Sequence, residues 1–222
     1  MNLLGIESSS RKLSIGLMKD DSFYELHSEK VNDTANSLPQ LSKKIIKSAS
    51  LSFEDLDAIC ISSGPGSFTG LRVGMSYAKG IAMALDIPIV PVSTFDSLAF
   101  NNSSEVLSTL IYSHGNTFYV CEYSLDGGIL LKSSKPKSIL KEDVLELSKN
   151  IVFNGPMNIF EDLKAHNLKI EFKELSVNNI IKIACQNFKL LKTKSLDNLV
   201  PEYVGNFLSL IHISEPTRPR LI

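Results

Sequence analysis

The chain has 222 residues, 43% of them hydrophobic and 21% charged, a composition that excludes global disorder and supports one large domain or two packed lobes. Lysine and arginine number 23 against 24 aspartate and glutamate, so the formal charge of -1 excludes a broad basic field, and any role with nucleic acid is expected to run through a partner. Cys60, Cys121 and Cys185 are odd in number, far apart and set in apolar runs, which excludes a disulfide framework or a thiolate metal pair and fits a reducing cytoplasm.

The first residues, Met1-Asn2-Leu3-Leu4-Gly5-Ile6-Glu7, lack the basic start and long apolar stretch of a signal peptide. No segment approaches the roughly 20 apolar residues of a membrane span, so a cytoplasmic chain without membrane contact is expected. Three strand-like runs follow at Asn2 to Glu7, Lys12 to Lys19 and Phe23 to Glu29, an antiparallel meander. Leu38, Leu41, Ile45 and Ala49 recur at helical spacing, with Pro39 expected in or near the first turn. Ser52-Phe53-Glu54-Asp55 is a capping-box pattern, and Ala58 to Ser62 reads as a buried strand. The Gly64 to Gly70 loop, a helix to about Leu85, a strand at Ile87 to Val92 and a Thr94-capped helix complete the order βββαβαβα.

The second half repeats that order. Strands are expected near Ser108 to Ser113, Thr117 to Tyr123 and Ile129 to Lys132, then a helix carrying Ile139 or Leu140 with Val144 and Leu147. A strand at Ile151 to Phe153, a short helix with Ile159, Phe160 and Leu163, a strand at Ile170 to Phe172 and one long helix from Val177 to Leu191 follow. The doubled order is that of an α/β, two-lobed, duplicated actin-like ATPase (ASKHA) fold, with lobes at 1–103 and 104–208. Two of the four arginines, Arg218 and Arg220, crowd the end of the chain beside Pro216 and Pro219, and 209–222 is expected to be a non-native or disordered tail.

The densest chemistry is Ser62-Ser63-Gly64-Pro65-Gly66-Ser67-Phe68-Thr69-Gly70-Leu71-Arg72-Val73-Gly74, a glycine-rich loop between a strand and a helix. Its free N–H groups would favour an anion, although it matches neither the Walker pattern nor the dinucleotide fingerprint, and a tight turn that binds nothing is equally compatible. Glu7, Ser8 and Ser9 occupy the first turn, where a carboxylate could hold a metal-bound water and the hydroxyls could face phosphate. Together with Gly64, Gly66 and Ser67 they form a candidate vestigial nucleotide or phosphate loop, yet the turn itself has no glycine. In the following helix Gly70, Gly74, Ala78 and Ala82 fall every fourth residue, a flat stripe that permits close approach of another backbone, while the opposite side holds Val73, Tyr77, Ile81 and Leu85. With Arg72 and Tyr77 the four small residues are the expected partner interface; the competing expectation is a helix wedged on its own sheet. No HExxH or HxxxH pair joins His27, His114, His166 and His212, and no Gly-x-Ser-x-Gly elbow exists, which removes metal catalysis and serine-hydrolase chemistry.

Leu4-Gly5-Ile6-Glu7-Ser8-Ser9, the Ser63 to Gly74 loop, Ala78-Lys79-Gly80 and Pro91-Val92-Ser93-Thr94 resemble the TsaB (YeaZ) family over residues 1 to 100. Farther on, Pro201-Glu202-Tyr203-Val204 is similar to that family's closing motif, with Gly205 in place of an arginine, and Tyr112-Ser113-His114-Gly115-Asn116 departs from its Asp-Ala-Arg stretch. The resemblance implies a non-catalytic scaffold subunit that dimerises with the catalytic subunit TsaD and works with the ATPase TsaE. Together they transfer a threonylcarbamoyl group to the adenosine beside the anticodon of ANN-reading tRNAs. It further implies no cofactor of the chain's own, ATP and a metal ion held by the partner, indirect contact with tRNA, and a homodimer as a competing assembly. The alternative is a self-sufficient actin-like ATPase or sugar-kinase relative.

Overall fold

Strand β1 (Asn2–Glu7) lies at the centre of the first sheet because it is apolar on both faces, Leu3, Leu4 and Ile6 all being fully buried. The computed structural model describes residues 1–20, 22–127, 129–147, 150–166 and 168–204; the segment 209–222, expected to be a tail, lies outside the described residues, as does Gly205. β1 pairs antiparallel with β2 (Ser14–Lys19), which pairs antiparallel with β3 (Ser22–His27). On its other edge it runs parallel to β4 (Ala58–Gly64), followed by β5 (Ile89–Ser93), giving the order β3-β2-β1-β4-β5.

One face of this sheet is covered by α1 (Thr34–Ser48) and α2 (Phe68–Leu85). Leu4, Ile6, Ile15, Leu17, Ile59 and Ile61 pack there against Leu38 and Ile45 of α1 and Met75, Ala78 and Ala82 of α2. Each fully buried Leu or Ile of this kind contributes about 1.5 to 3 kcal/mol. α1 starts at Thr34, so Pro39 sits in the second turn and not in the first, and the apolar face of the helix is strong enough to carry it. Ser52 and Asp55 form the expected capping box around the 3-10 turn Phe53–Asp55. Thr94 is the first residue of α3 (Thr94–Ala99) and not its cap; Ser93 holds the cap position without a side-chain cap bond.

The second sheet contains β6 (Val106–His114), β7 (Thr117–Asp126), β8 (Ile129–Lys132), β9 (Lys137–Leu140), β10 (Ile151–Asn154) and β11 (Ile170–Phe172), in the order β11-β10-β6-β7-β8. β9 corrects the sequence expectation of a helix around Ile139. It pairs with Thr117 to Val120, on the edge of β7 whose other end holds β8. Alternation decides it: Ile139 points inward while Leu140 is 54% exposed, a period of two that leaves only the four-residue α4 (Lys141–Val144) helical. α5 (Met157–Lys164) follows β10. The helix expected from Val177 to Leu191 is broken at Asn187 into α6 (Val177–Gln186) and α7 (Phe188–Leu191).

The two halves exchange helices. α6 follows the second sheet in sequence but packs Val177, Ile180, Ile181 and Ala184 onto Leu3, Ala58, Cys60, Val90 and Val92 of the first. α3 follows the first sheet but packs Phe95, Leu98 and Ala99 onto Leu107, Ile111, Cys121 and Val152 of the second. Two sheets, each opened by antiparallel strands and continued by parallel ones joined through helices, form the two-lobed actin-like ATPase fold. Among the described residues, no helix is long and apolar enough to cross a membrane.

Candidate functional site: the first turn, the glycine loop and helix α2

At the end of β1 the alternation of the strand turns Ile6 toward α1 and α2 and Glu7 toward the opposite face. Glu7 is fully buried. Its Oε1 accepts the backbone N–H of Ser9 at 2.7 Å and the Ser9 hydroxyl at 2.5 Å, while Oε2 is buried without a partner. Burial pushes the Glu7 carboxyl above the ordinary carboxylate range, against the opposing effect of the Ser9 donors. Ser8 N–H donates to Ser62 Oγ at 3.2 Å, tying the turn to β4.

The glycine loop closes onto this turn. Ser67 N–H donates to the Ser9 carbonyl at 2.6 Å, and Ser67 Oγ caps α2 by accepting from Gly70 N–H at 3.2 Å. A Cβ placed on Gly66 would meet the Ser9 carbonyl oxygen, one on Gly70 the Ser8 carbonyl oxygen, and one on Gly74 the Ser8 hydroxyl. The structure therefore brings Glu7, Ser8, Ser9, Gly64, Gly66 and Ser67 together, but as a packed joint. In this joint the Ser9 backbone lies against Gly66 and the Ser67 amide already has an acceptor, so turn and loop serve each other.

A correction concerns α2. Gly70, Gly74, Ala78 and Ala82 all point into their own lobe, the glycines beneath Ser8 and the alanines in the core. They are the surface that lets α2 sit close to the first turn and the sheet, not a surface left for a partner. Of the six expected interface residues, only Arg72 and Tyr77 reach the outside. Tyr77 borders an open apolar groove of about 230 Å³, completed by Phe53 of the 3-10 turn and by Gly80, Ile81, Ala84 and Leu85 of α2. The residues missed as site residues, Phe53, Gly80 and Ala84, come from two segments that no single periodicity joins; Ile81 and Leu85 were legible as the second apolar row of α2.

The segment 201–204 straps the loop from outside. Glu202 N–H donates to the Ser63 carbonyl at 2.6 Å, and Val204 enters the core of the second lobe. Arg72 Nε donates to Tyr203 Oη at 3.0 Å, and its guanidinium lies 3.7 Å above the Phe68 ring centroid. Behind the strap, Tyr123 Oη donates to Asp96 Oδ1 at 2.7 Å and Lys132 Nζ to Asp96 Oδ2 at 3.1 Å, joining α3 to the second sheet. Burial pushes the Glu202 carboxyl up, with Lys132 opposing. Lys173 makes another tie: its Nζ donates to the carbonyls of Leu98 and Phe100 at 2.8 Å each, closing the end of α3. No group of three or more metal-ligating side chains is assembled among the described residues.

Residues 30–202 match the family model described as TsaD: tRNA N6-adenosine threonylcarbamoyltransferase. The chain is 27% identical over 224 residues to the tRNA threonylcarbamoyladenosine biosynthesis protein TsaB of Escherichia coli strain K12, covering 93% of this chain and 95% of that one. It is 29% identical over 153 residues to the protein of the same name from Bacillus subtilis strain 168, covering 67% and 66%. Among solved structures, YeaZ from Pseudomonas aeruginosa superposes with a TM-score of 0.76 at 17% identity, over 91% of this chain and 99% of that one.

Proposed function

As this chain belongs to the TsaD family, in its TsaB/YeaZ branch, we propose that it takes part in tRNA threonylcarbamoyladenosine biosynthesis as a non-catalytic scaffold and activator that dimerises with a TsaD-like subunit. The observation that carries this reading is the two-sided character of α2. Its small-residue side is closed against Ser8 and the sheet, while Tyr77, Ile81 and Ala84 with Phe53 leave an apolar groove on the outside. An apolar groove of this kind suits a helix of a partner.

The packed joint between Ser9 and Ser67 favours this over the self-sufficient ATPase or sugar-kinase reading. In the proposed assembly ATP is handled by a TsaE-like ATPase and by the TsaD-like subunit, which also holds the metal ion. tRNA meets the complex through those partners, in keeping with a formal charge of -1 on this chain. A homodimer would use the same apolar face and compete with the heterodimer. The decisive experiment mixes the purified chain with the TsaD-like subunit of its own organism and measures affinity for the parent and for Ile81→Asp. A charge in the groove is expected to weaken binding by at least about tenfold, beyond any loss of affinity that the lower stability of this half-buried position explains, so the melting temperature is measured beside the affinity. Equal binding by both chains would sink the groove assignment, and threonylcarbamoyl transfer by the chain alone would sink the non-catalytic role.

A further inference from the structure

Between Leu199 and Val204 the chain passes from one lobe to the other. Leu196 and Leu199 rest on the core of the first lobe, and just before them Thr193 pairs with Ile89 at the edge of β5 through N–H···O bonds of 2.8 and 2.9 Å. Val204 is buried in the core of the second lobe, in one cluster with Phe95, Cys121 and Tyr123. The strap 201–204 therefore spans the seam between the lobes.

Its grip on the first lobe is small and polar. Glu202 N–H donates to the Ser63 carbonyl, and a Cβ on Gly64 would meet the Glu202 carbonyl oxygen, so the strap lies flush on the glycine loop. Tyr203 accepts from Arg72 and packs on Phe68 with ring centroids 5.4 Å apart, at a surface where Phe68 is 40% and Tyr203 37% exposed. The Glu202 carboxylate is within electrostatic reach of Lys132, whose ammonium already serves Asp96. Solvent-exposed polar contacts of this kind open before a packed core does.

The groups beside the strap would be better served by water. Asp96, an electrostatic neighbour of Glu202, stands in α3 between Thr94 and Ser97, whose hydroxyls are both buried without a hydrogen-bond partner among the described residues. α3 is the helix that leaves the first sheet and packs on the second, so these hydroxyls sit where the lobes meet. A buried polar group without a partner is less stable than a hydrated one, and the closed seam carries a penalty that opening removes.

We propose that residues 201–204 form a releasable clasp: the strap lifts from the glycine loop while both lobes stay folded, and the seam at the start of α3 opens to solvent. The two states differ in the Glu202–Ser63 bond, the Arg72–Tyr203 pair and the seat of Val204. The device does not depend on which partner α2 takes.

The three cysteines report on it. Cys185 is part-exposed, Cys121 is buried in the cluster that Val204 closes, and Cys60 is buried between the first sheet and α6. The native full chain is treated with iodoacetamide, and alkylation of each cysteine is followed by mass spectrometry, since a thiol reacts only when it is reached. Cys185 is expected to react first and Cys121 well before Cys60. Tyr203→Ala removes the acceptor of Arg72 and the contact with Phe68, and should speed alkylation of Cys121 at least about tenfold while leaving Cys60 unchanged. Tyr203→Phe keeps the ring and loses the acceptor, so its rate should fall between. The proposal is overturned if Cys121 and Cys60 react at one common rate in the parent, which would mean that only global unfolding exposes them. It is overturned equally if Tyr203→Ala leaves Cys121 at the parent rate or speeds both cysteines by the same factor.

Discussion

Gly70 lies directly beneath the carbonyl oxygen of Ser8, so close that any Cβ at position 70 would overlap it. Four residues on, Gly74 meets the same serine through its hydroxyl. These two contacts set how deeply α2 sits against the end of β1, and they explain why a helix with good reason to use alanine carries glycine twice.

Gly70→Ala is expected to destabilise the protein by about 1 to 3 kcal/mol, because the obstacle is backbone and the overlap outweighs the roughly 1 kcal/mol of helix propensity gained. Gly74→Ala should cost less, since the obstacle there is a side chain. Ser8→Ala removes that obstacle, and its hydroxyl has no hydrogen bond to lose. Urea denaturation of the single and double variants checks this: Ser8→Ala should restore most of what Gly74→Ala loses and nothing of what Gly70→Ala loses. Equal rescue of both would contradict the assigned contacts.

Glu7 gives the stability a pH dependence of definite sign. Its folded-state pKa is raised by burial above the ordinary value of 4.5, so above pH 4.5 the unfolded chain loses this proton first. Stability is complete below that value and falls as pH climbs toward the raised folded pKa. Glu7→Gln should remove this slope and be relatively more stable at pH 7 than at pH 5. Parallel pH profiles of urea midpoints for parent and variant would show that the carboxyl is not the group responsible.

Ala78 is fully buried in the core, whereas Ile81 lines the outer groove. Ala78→Leu should therefore cost about 1 to 3 kcal/mol by overpacking, or roughly 2 to 10 °C in melting temperature for a chain of this size. The protein that remains folded should bind its TsaD-like partner normally. Ile81→Asp, by contrast, should lower the partner affinity of the folded protein, and finding normal affinity there but a loss in folded Ala78→Leu would place the interface on the small-residue stripe after all.

Lys173 closes the end of α3 by donating to Leu98 and Phe100, and burial holds its ammonium below the usual lysine range. Lys173→Met keeps the aliphatic stem but removes both donors. Hydrogen bonds to a charged group are worth about 1.5 to 3 kcal/mol, so a loss of that order is expected, with hydrogen exchange faster at the end of α3 than at β1. Uniform acceleration across the chain would mean that the tie is not local.

Much of the first lobe was legible in the sequence. Asn2 to Glu7 alternates and clusters like a strand, Ser52 and Asp55 announce a capping box, and the loop from Gly64 to Gly70 separates a strand from a helix, because these signals are local. The stretch around Ile139 was misread because four residues satisfy a helical and a strand period equally well, and only pairing with Thr117 to Val120 decides between them. The break at Asn187 and the return of α6 to the first sheet likewise depend on partners distant in sequence.

Spacing alone determined that Gly70, Gly74, Ala78 and Ala82 share one side of α2 and that Tyr77, Ile81 and Leu85 share another. It did not determine which side meets the protein's own lobe, since both are apolar and either would be buried favourably. The tertiary structure decided that through steric exclusion: the Ser8 carbonyl above Gly70 and the Ser8 hydroxyl above Gly74 leave no room for a Cβ, so the glycines face that serine and the larger side chains lie on the other side. The same packing turned an anion-like loop into a closed joint, because the Ser67 amide and the Ser9 carbonyl satisfy each other before any ligand arrives.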